Sequence, residues 1–357
     1  MITIAGDLGY RFVKGVNGYY RTVLFPSAIC QGFDKKHGGG SGMKYNGKPL
    51  SQLHVVCNEE DGAKQDYFIG DMALKEVGTA KYLFDEDRAG LKEMKAFIAA
   101  LVLLLAPSDK RLFFVSGLPY KNHAAQKDGF EAFLRGLDFD ASLVGGRDVV
   151  ISRRIKFDDV RLMPQGIGAV IYASQRHPSL IKGNSDVLGL VDIGGKTTEL
   201  ILFRDEPGGL MLLEEYSDTL EMGMTNVNNV VYRAYHDRTG TNLSDAKVNN
   251  LVKRGYVVRR GNRLDFREEI NEAKKNLATD IFSRITARWR EMDDELTRII
   301  FAGGGSIDLR SYLGNRDYFV FVEDPQFANV HGYHTIARLY MDEMKKGGGS
   351  SKVKRIR

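Results

Sequence analysis

Two short segments carry the same order of residue types. Asp7-Leu8-Gly9 and Asp192-Ile193-Gly194 stand 185 residues apart. Each follows a β-prone run and leads through a polar turn into another. A strand-turn-strand with glycine at its bend exposes backbone N–H groups in a concave nest, which binds anions. An aspartate at the strand end is placed to hold a hydrated divalent cation. Mg2+ keeps several waters and bridges phosphates, so two outer-shell carboxylates suit it. Two such hairpins facing each other would clamp a triphosphate from both sides. Two unrelated hairpins with polar turns are the plainer reading of either segment alone.

Two further segments add to the pair. Phe301-Ala302-Gly303-Gly304-Gly305-Ser306 puts three glycines after an apolar strand. Glycine permits close backbone approach and positive φ, so this turn can lie against a sugar and an α-phosphate. It could equally be an ordinary strand-to-helix turn. Met163-Pro164-Gln165-Gly166-Ile167-Gly168-Ala169 places proline near a helix start and small residues after it, a pattern for a helix that packs closely on a neighbour. Gln165 then stands near the helix start. It could orient an attacking water, or simply be a solvated glutamine.

The elements that must hold these residues can be read in outline. Ile2 to Ala5 and Arg11 to Val16 predict a hairpin turning over Gly6-Asp7-Leu8-Gly9. Strands are expected at 22–25, 111–115, 147–157, 187–193, 197–203 and 297–302. Helices are expected at 92–106, 122–135, 165–175, from Gly223 to about Arg238, at 267–292 and at 329–345. Residues 31–65 are weakly patterned and include a glycine-rich stretch after Lys35. Strands and helices alternate throughout, so the class is α/β.

Composition excludes several other classes. The chain has 357 residues with a formal charge of +5. Six Lys or Arg and no acid fall between Lys345 and Arg357. Without that segment the net charge is −1, which argues against a globally basic nucleic-acid binder. Two cysteines, Cys30 and Cys57, make neither a disulfide framework nor a thiolate zinc site, and a cytoplasmic setting is the default. The start, Met1 to Gly6, shows no signal-peptide pattern. The longest apolar run is Ala96 to Ala106. Spanning a bilayer takes about 20 residues, so this run predicts a buried helix. His331 and His334 lack a carboxylate or thiol cluster around them, and Trp289 is expected to pack.

In this order the segments resemble the actin superfamily, which includes chaperone-type ATPases and sugar kinases. The match is closest to ParM/StbA-type plasmid-segregation actins and their archaeal relatives. Asp7 to Lys14 resembles the first phosphate motif, and Arg161 to Gln165 the first connecting segment. Leu190 to Glu199 resembles the second phosphate motif, Phe301 to Ser306 the adenosine motif, and Gln326 to Tyr333 the second connecting segment. ParM commonly has Glu where this chain has Gln165, which shifts the implied role from base-like to water-orienting.

The resemblance implies two similar ribonuclease-H-like α/β lobes with ATP or ADP and Mg2+ in the cleft between them. The first lobe would take residues 1–182, with 31–90 a variable small subdomain. The second would take 183–325. A helix over 326–346 would return to the first, followed by a flexible basic tail at 347–357. Asp7 and Asp192 would hold Mg2+ through water and serve catalysis with Gln165. Gly9, Tyr10, Arg11, Lys14, Gly194, Gly195, Lys196 and Thr197 would meet the phosphates. Gly223, Gly303, Gly304 and Gly305 would meet the nucleoside side. The implied activity is ATP-driven assembly into filaments that segregate plasmid DNA. The implied partners are further copies of the chain and a ParR-like adaptor on a centromere-like site, with no direct DNA contact and no membrane. The runner-up is a small-molecule kinase of the same superfamily, or a filament not tied to a plasmid.

Overall fold

The computed structural model describes residues 1–33, 52–58, 63–76, 80–82, 92–108, 110–145 and 148–345. The glycine-rich stretch after Lys35 and the basic tail at 347–357 lie outside the described residues. The chain divides into two compact units. Among the described residues, one holds Met1–Tyr172 and Asn329–Lys345, and the other holds Ala173–Ala328. The expected boundaries at 182/183 and 325/326 compare with observed ones at 172/173 and 328/329.

The first unit begins with β1 (Ile2–Leu8), β2 (Phe12–Asn17), β3 (Thr22–Pro26) and β4 (Ala28–Gln31). β5 (Leu53–Asn58), β6 (Lys64–Ile69), α1 (Asp71–Lys75), β7 (Lys81–Tyr82) and α2 (Lys92–Leu105) follow. Then come β8 (Leu112–Leu118), α3 (Tyr120–Arg135), β9 (Asp138–Gly145), β10 (Asp148–Lys156), β11 (Asp159–Pro164) and α4 (Ile167–Arg176). One sheet runs β11-β8-β1-β2-β3 and a second β10-β9-β5-β6-β4-β7. In the first, β1, β2 and β3 are antiparallel, while β8 and β11 run parallel to β1.

α2 contacts β1, β2 and β3 of one sheet and β5, β9 and β10 of the other. A helix covered on all sides must be apolar all round. Residues 96–106 are accordingly all buried. Pro107 cannot continue the helix, and its last carbonyls need partners. Asn17 Nδ2 donates to Leu105 O at 2.7 Å, and the buried Arg153 guanidinium donates to Ala106 O and Ser108 O.

The turn expected over Gly6 to Gly9 is displaced. β1 continues through Asp7 to Leu8, and Gly6 pairs with Gly15 across the hairpin. A Cβ on Gly6 would lie 2.8 Å from Leu101 Cδ2, and one on Gly15 2.5 Å from Leu101 Cδ1. These two glycines serve helix–sheet contact, not the turn. The strand expected at 147–157 is β10 alone. β9 before it was not anticipated, because Asp138, Asp140 and Gly145 interrupt its apolar pattern.

The second unit holds β12 (Val187–Ile193), β13 (Thr198–Glu206), β14 (Gly209–Leu220), α5 (Met224–Thr239) and α6 (Asp245–Arg254). It continues with β15 (Tyr256–Arg259), β16 (Asn262–Asp265), α7 (Arg267–Arg288), β17 (Leu296–Ala302), α8 (Gly304–Leu313) and β18 (Phe319–Phe321). Its five-stranded sheet runs β14-β13-β12-β17-β18. Again the first three strands are antiparallel and the last two parallel to the first. The two sheets therefore share one connectivity. α7 buries Ile270, Ala273, Leu277, Ile281 and Ile285 along one stripe, and its many charged residues occupy the remaining faces. Trp289 packs as expected. A Cβ on Gly189 would lie 2.6 Å from its ring, and its Nε1 donates to Tyr216 O at 3.0 Å.

α9 (Ala328–Lys345) starts at the boundary and lies mainly in the first unit. It meets α4 backbone to backbone. A Cβ on Gly332 would lie 1.8 Å from Gly168 O, and one on Gly168 2.4 Å from Asn329 O. Gly332→Ala should therefore force the helices apart and lower stability by about 3 kcal/mol, the upper range for overpacking, read from urea denaturation. On the same helix, His334 is buried edge-on to Tyr20. Burial, with Arg338 and His331 nearby, pushes its imidazole down to about 4. The unfolded chain thus takes up this proton between about pH 6.5 and pH 4 while the folded chain does not. Stability should fall with acidification through that window, and less so in His334→Phe, measured by thermal melts at stepped pH.

Candidate functional site

Each unit presents an Asp-x-Gly hairpin at the carboxyl ends of its parallel strands, the edge where open α/β sheets bind ligands. In the first unit Asp7 stands opposite Lys14 in the β1/β2 register. Residues directly opposite share a face, and Lys14 Nζ lies 2.9 Å from Asp7 Oδ2. Asp7 is 4% exposed, so its carboxylate depends on its partners. The other carboxylate oxygen, Oδ1, accepts from Gln165 Nε2 at 3.2 Å. Gln165 follows β11, and its backbone N–H donates to Leu118 O at the end of β8. The carboxyl ends of three parallel strands thus bring Asp7 and Gln165 together.

The turn from Gly9 to Arg11 joins β1 to β2. A Cβ on Gly9 would sit 2.9 Å from Phe12 O. Tyr10 and Arg11 are half-buried in that turn. Ser27, fully buried, ties both ends of it: its hydroxyl donates to Gly9 O at 2.5 Å, and its N–H to Arg11 O at 3.0 Å. Sequence reading missed Ser27, because a lone serine after Pro26 carries no motif.

In the second unit Asp192 stands opposite Glu199, the same seven-residue offset as Asp7 and Lys14. A Cβ on Gly194 would sit 2.9 Å from Thr197 O, the same distance and spacing as at Gly9. Gly194 N–H closes the turn on Thr197 O at 2.9 Å. Gly195 and Thr197 are half-buried and Lys196 is exposed. Buried Glu199 accepts from Thr219 Oγ1 at 2.5 Å, a contact with no sequence signal.

Two helix starts abut this second hairpin. Gly223 precedes α5, and a Cβ there would meet Gly195 O at 2.7 Å. Met224 and Thr225 N–H donate to Gly194 O and Gly195 O. Gly303 precedes α8 with φ 80°, and a Cβ there would lie 2.3 Å from Asp192 Oδ1. Both the dihedral and the contact demand glycine. Gly305 presses on Ile193 and Met224, while Gly304 has no neighbour nearer than Gln326 at 3.7 Å. α5 has 16 residues and α8 has 10. The first amides of α5 are taken by the hairpin carbonyls, so it is the positive end of α8 with its glycine-lined turn that suits an anion. Among the described residues no cluster of three or more metal-ligating side chains occurs. A Mg2+ at either aspartate would rest on water and on ligand oxygens, and a single carboxylate at a strand end fits that mode.

Two family models match the sequence. "Actin like proteins N terminal domain" matches residues 5–168, and "Archaeal actin homologue MreB-like, C-terminal" matches residues 190–315. The chain belongs to the actin-like proteins. Its fold is the actin-like one, a mixed α/β architecture with several sheets. Among solved structures, this actin-like chain is 28% identical to a non-polymerisable quadruple mutant of pCBH ParM, with a TM-score of 0.82 over 95% of this chain and 99% of that one. It is 27% identical, at TM-score 0.83 over 95% and 99%, to ParM in a 15-stranded filament from Clostridium botulinum. An archaeal actin homolog solved in complex with ADP shares the fold at 19% identity and TM-score 0.76, over 95% and 100%. A search of curated proteins finds no match.

The Asp7–Lys14 pair yields a test of its own. Removing Lys14 leaves a buried carboxylate without its cation, which costs about 3–5 kcal/mol. Lys14→Met should lower stability by that order in denaturant titrations. Asp7→Asn with Lys14→Met should recover most of the loss, because no charge is then left buried.

Proposed function

We propose that this actin-like protein binds and hydrolyses ATP with Mg2+ and assembles into filaments that segregate plasmid DNA. The observation that carries the nucleotide assignment is the repeated hairpin. The same Asp-x-Gly turn, with the same register offset, stands at the same point of two sheets of the same connectivity. Phosphate oxygens would accept from the turn N–H groups around Gly9, Tyr10 and Arg11, and around Gly194, Gly195, Lys196 and Thr197. Lys14 is close enough to Asp7 to exchange that partner for a phosphate. Asp7 and Asp192 would orient the waters of Mg2+, which when bound neutralises phosphate charge. Gln165 would hold the attacking water, its amide oxygen accepting a proton in a hydrogen bond while Nε2 stays on Asp7. The Gly303 to Gly305 turn would leave room for the nucleoside, with Gly223 beside the second hairpin.

Filament assembly is supported by likeness, at 27–28% identity, to ParM chains named for a filament and for a non-polymerisable mutant. The link to plasmid DNA would run through a ParR-like adaptor, in keeping with the net charge of −1 outside Lys345–Arg357. A cytoplasmic setting fits this role. Among the described residues no helix is long and apolar enough to cross a membrane.

The deciding experiment is pelleting and light scattering with ATP, with ADP and without nucleotide. Assembly should depend on ATP, and its absence at every micromolar concentration would sink the filament assignment. Asp192→Ala should abolish Mg-ATP binding in titration calorimetry. Gln165→Ala should slow phosphate release by about tenfold or more while assembly persists.

A further inference from the structure

The turn that carries Gln165 has no cap of its own. Gly166 precedes α4 with φ 96° and has no side chain to offer the first helical amides. Such amides need an acceptor. Asn329, nine-tenths buried on α9, supplies it from 163 residues away. Its Oδ1 accepts from Gly166 N–H at 3.1 Å and from Ala169 N–H at 3.2 Å. Both partners are donors, so only the amide oxygen can face them.

The consequence reaches the site through one peptide. Gln165 N–H is held by Leu118 O at 2.7 Å on one side, and Gly166 N–H by Asn329 on the other. Between these anchors the Gln165 side chain spans to Asp7 Oδ1. The Gly168–Gly332 contact fixes α9 against α4 one turn away, so Asn329 has little freedom to follow a shifted turn.

We propose that Asn329 is a positioning residue for Gln165: it caps α4 from another helix and thereby sets the angle at which Gln165 presents its amide. The inference rests on the assignment of Gln165 to the attacking water. It assigns Asn329 no contact with nucleotide.

The test is a double-mutant cycle on the full chain, with phosphate release measured at saturating Mg-ATP and nucleotide affinity measured separately. Asn329→Ala should lower kcat by about tenfold with affinity unchanged, and Asn329→Asp, which keeps an oxygen for both amides, should restore most of it. In a Gln165→Ala background, Asn329→Ala should cause no further loss. If Asn329→Ala does not fold, Asn329→Ser serves in its place, since its shorter side chain cannot reach both amides. An equal loss in the Gln165→Ala background would overturn the proposal and leave Asn329 a structural cap. So would a crystal structure of the variant in which Gln165 keeps its bond to Asp7. Unchanged hydrolysis in Gln165→Ala alone would instead remove the premise, and would count against the function assigned to Gln165.

Discussion

Side chains alternate along a strand, and in β1 that alternation sets two demands one residue apart. Position 6 must vanish so that α2 can approach the sheet, and position 7 must carry a buried charge on the opposite face. The β1/β2 register makes the same demands of the partner strand, where Gly15 lies opposite Gly6 and Lys14 opposite Asp7. A slip of one residue would turn Asp7 and Lys14 into the leucines of α2. Site chemistry and core packing are thus fixed by a single registration. The helix that enforces it, α2, is apolar on every side from Ala96 on because a second sheet covers its far face.

The two units repeat a plan but not a charge pattern. Asp7 and Asp192 occupy matching places, and Gly9 and Gly194 make the same close approach three residues on. The residue opposite the aspartate differs: a lysine in the first unit and a glutamate in the second. The first carboxylate is therefore neutralised within its own hairpin, whereas the second stands beside another acid and two helix N-termini.

Much of this was legible in the sequence, for reasons that differ by element. The Asp-x-Gly turns could be read because close backbone approach demands glycine and leaves a mark. The Gly303 turn could be read for the same reason, and its φ of 80° bears that out. α2 was legible from its unbroken apolar run. β14 and the β15/β16 hairpin were not, since exposed strands alternate weakly and carry many charges. Gly6 was misassigned to a turn because a glycine that admits a leucine looks like one that permits a bend. Ser27, Glu199 and Asn329 were silent as individuals, since their roles depend on which backbone groups the fold brings to them.

The boundary at Asn329 also sets an order in time. Among the described residues unit two is continuous in sequence, but unit one is closed by a helix made after Ala328. At typical synthesis rates of about 5–20 residues per second, the 164 residues from Gln165 to Asn329 take roughly 8–30 s. Throughout that interval the nascent chain carries Asp7, Lys14 and Gln165 without the cap that holds the Gln165 turn. The same helix also brings Gly332 to Gly168. A ribosome-bound chain is therefore incomplete at the very turn that faces Asp7 until Asn329 has been made, and maturation of that turn waits on α9.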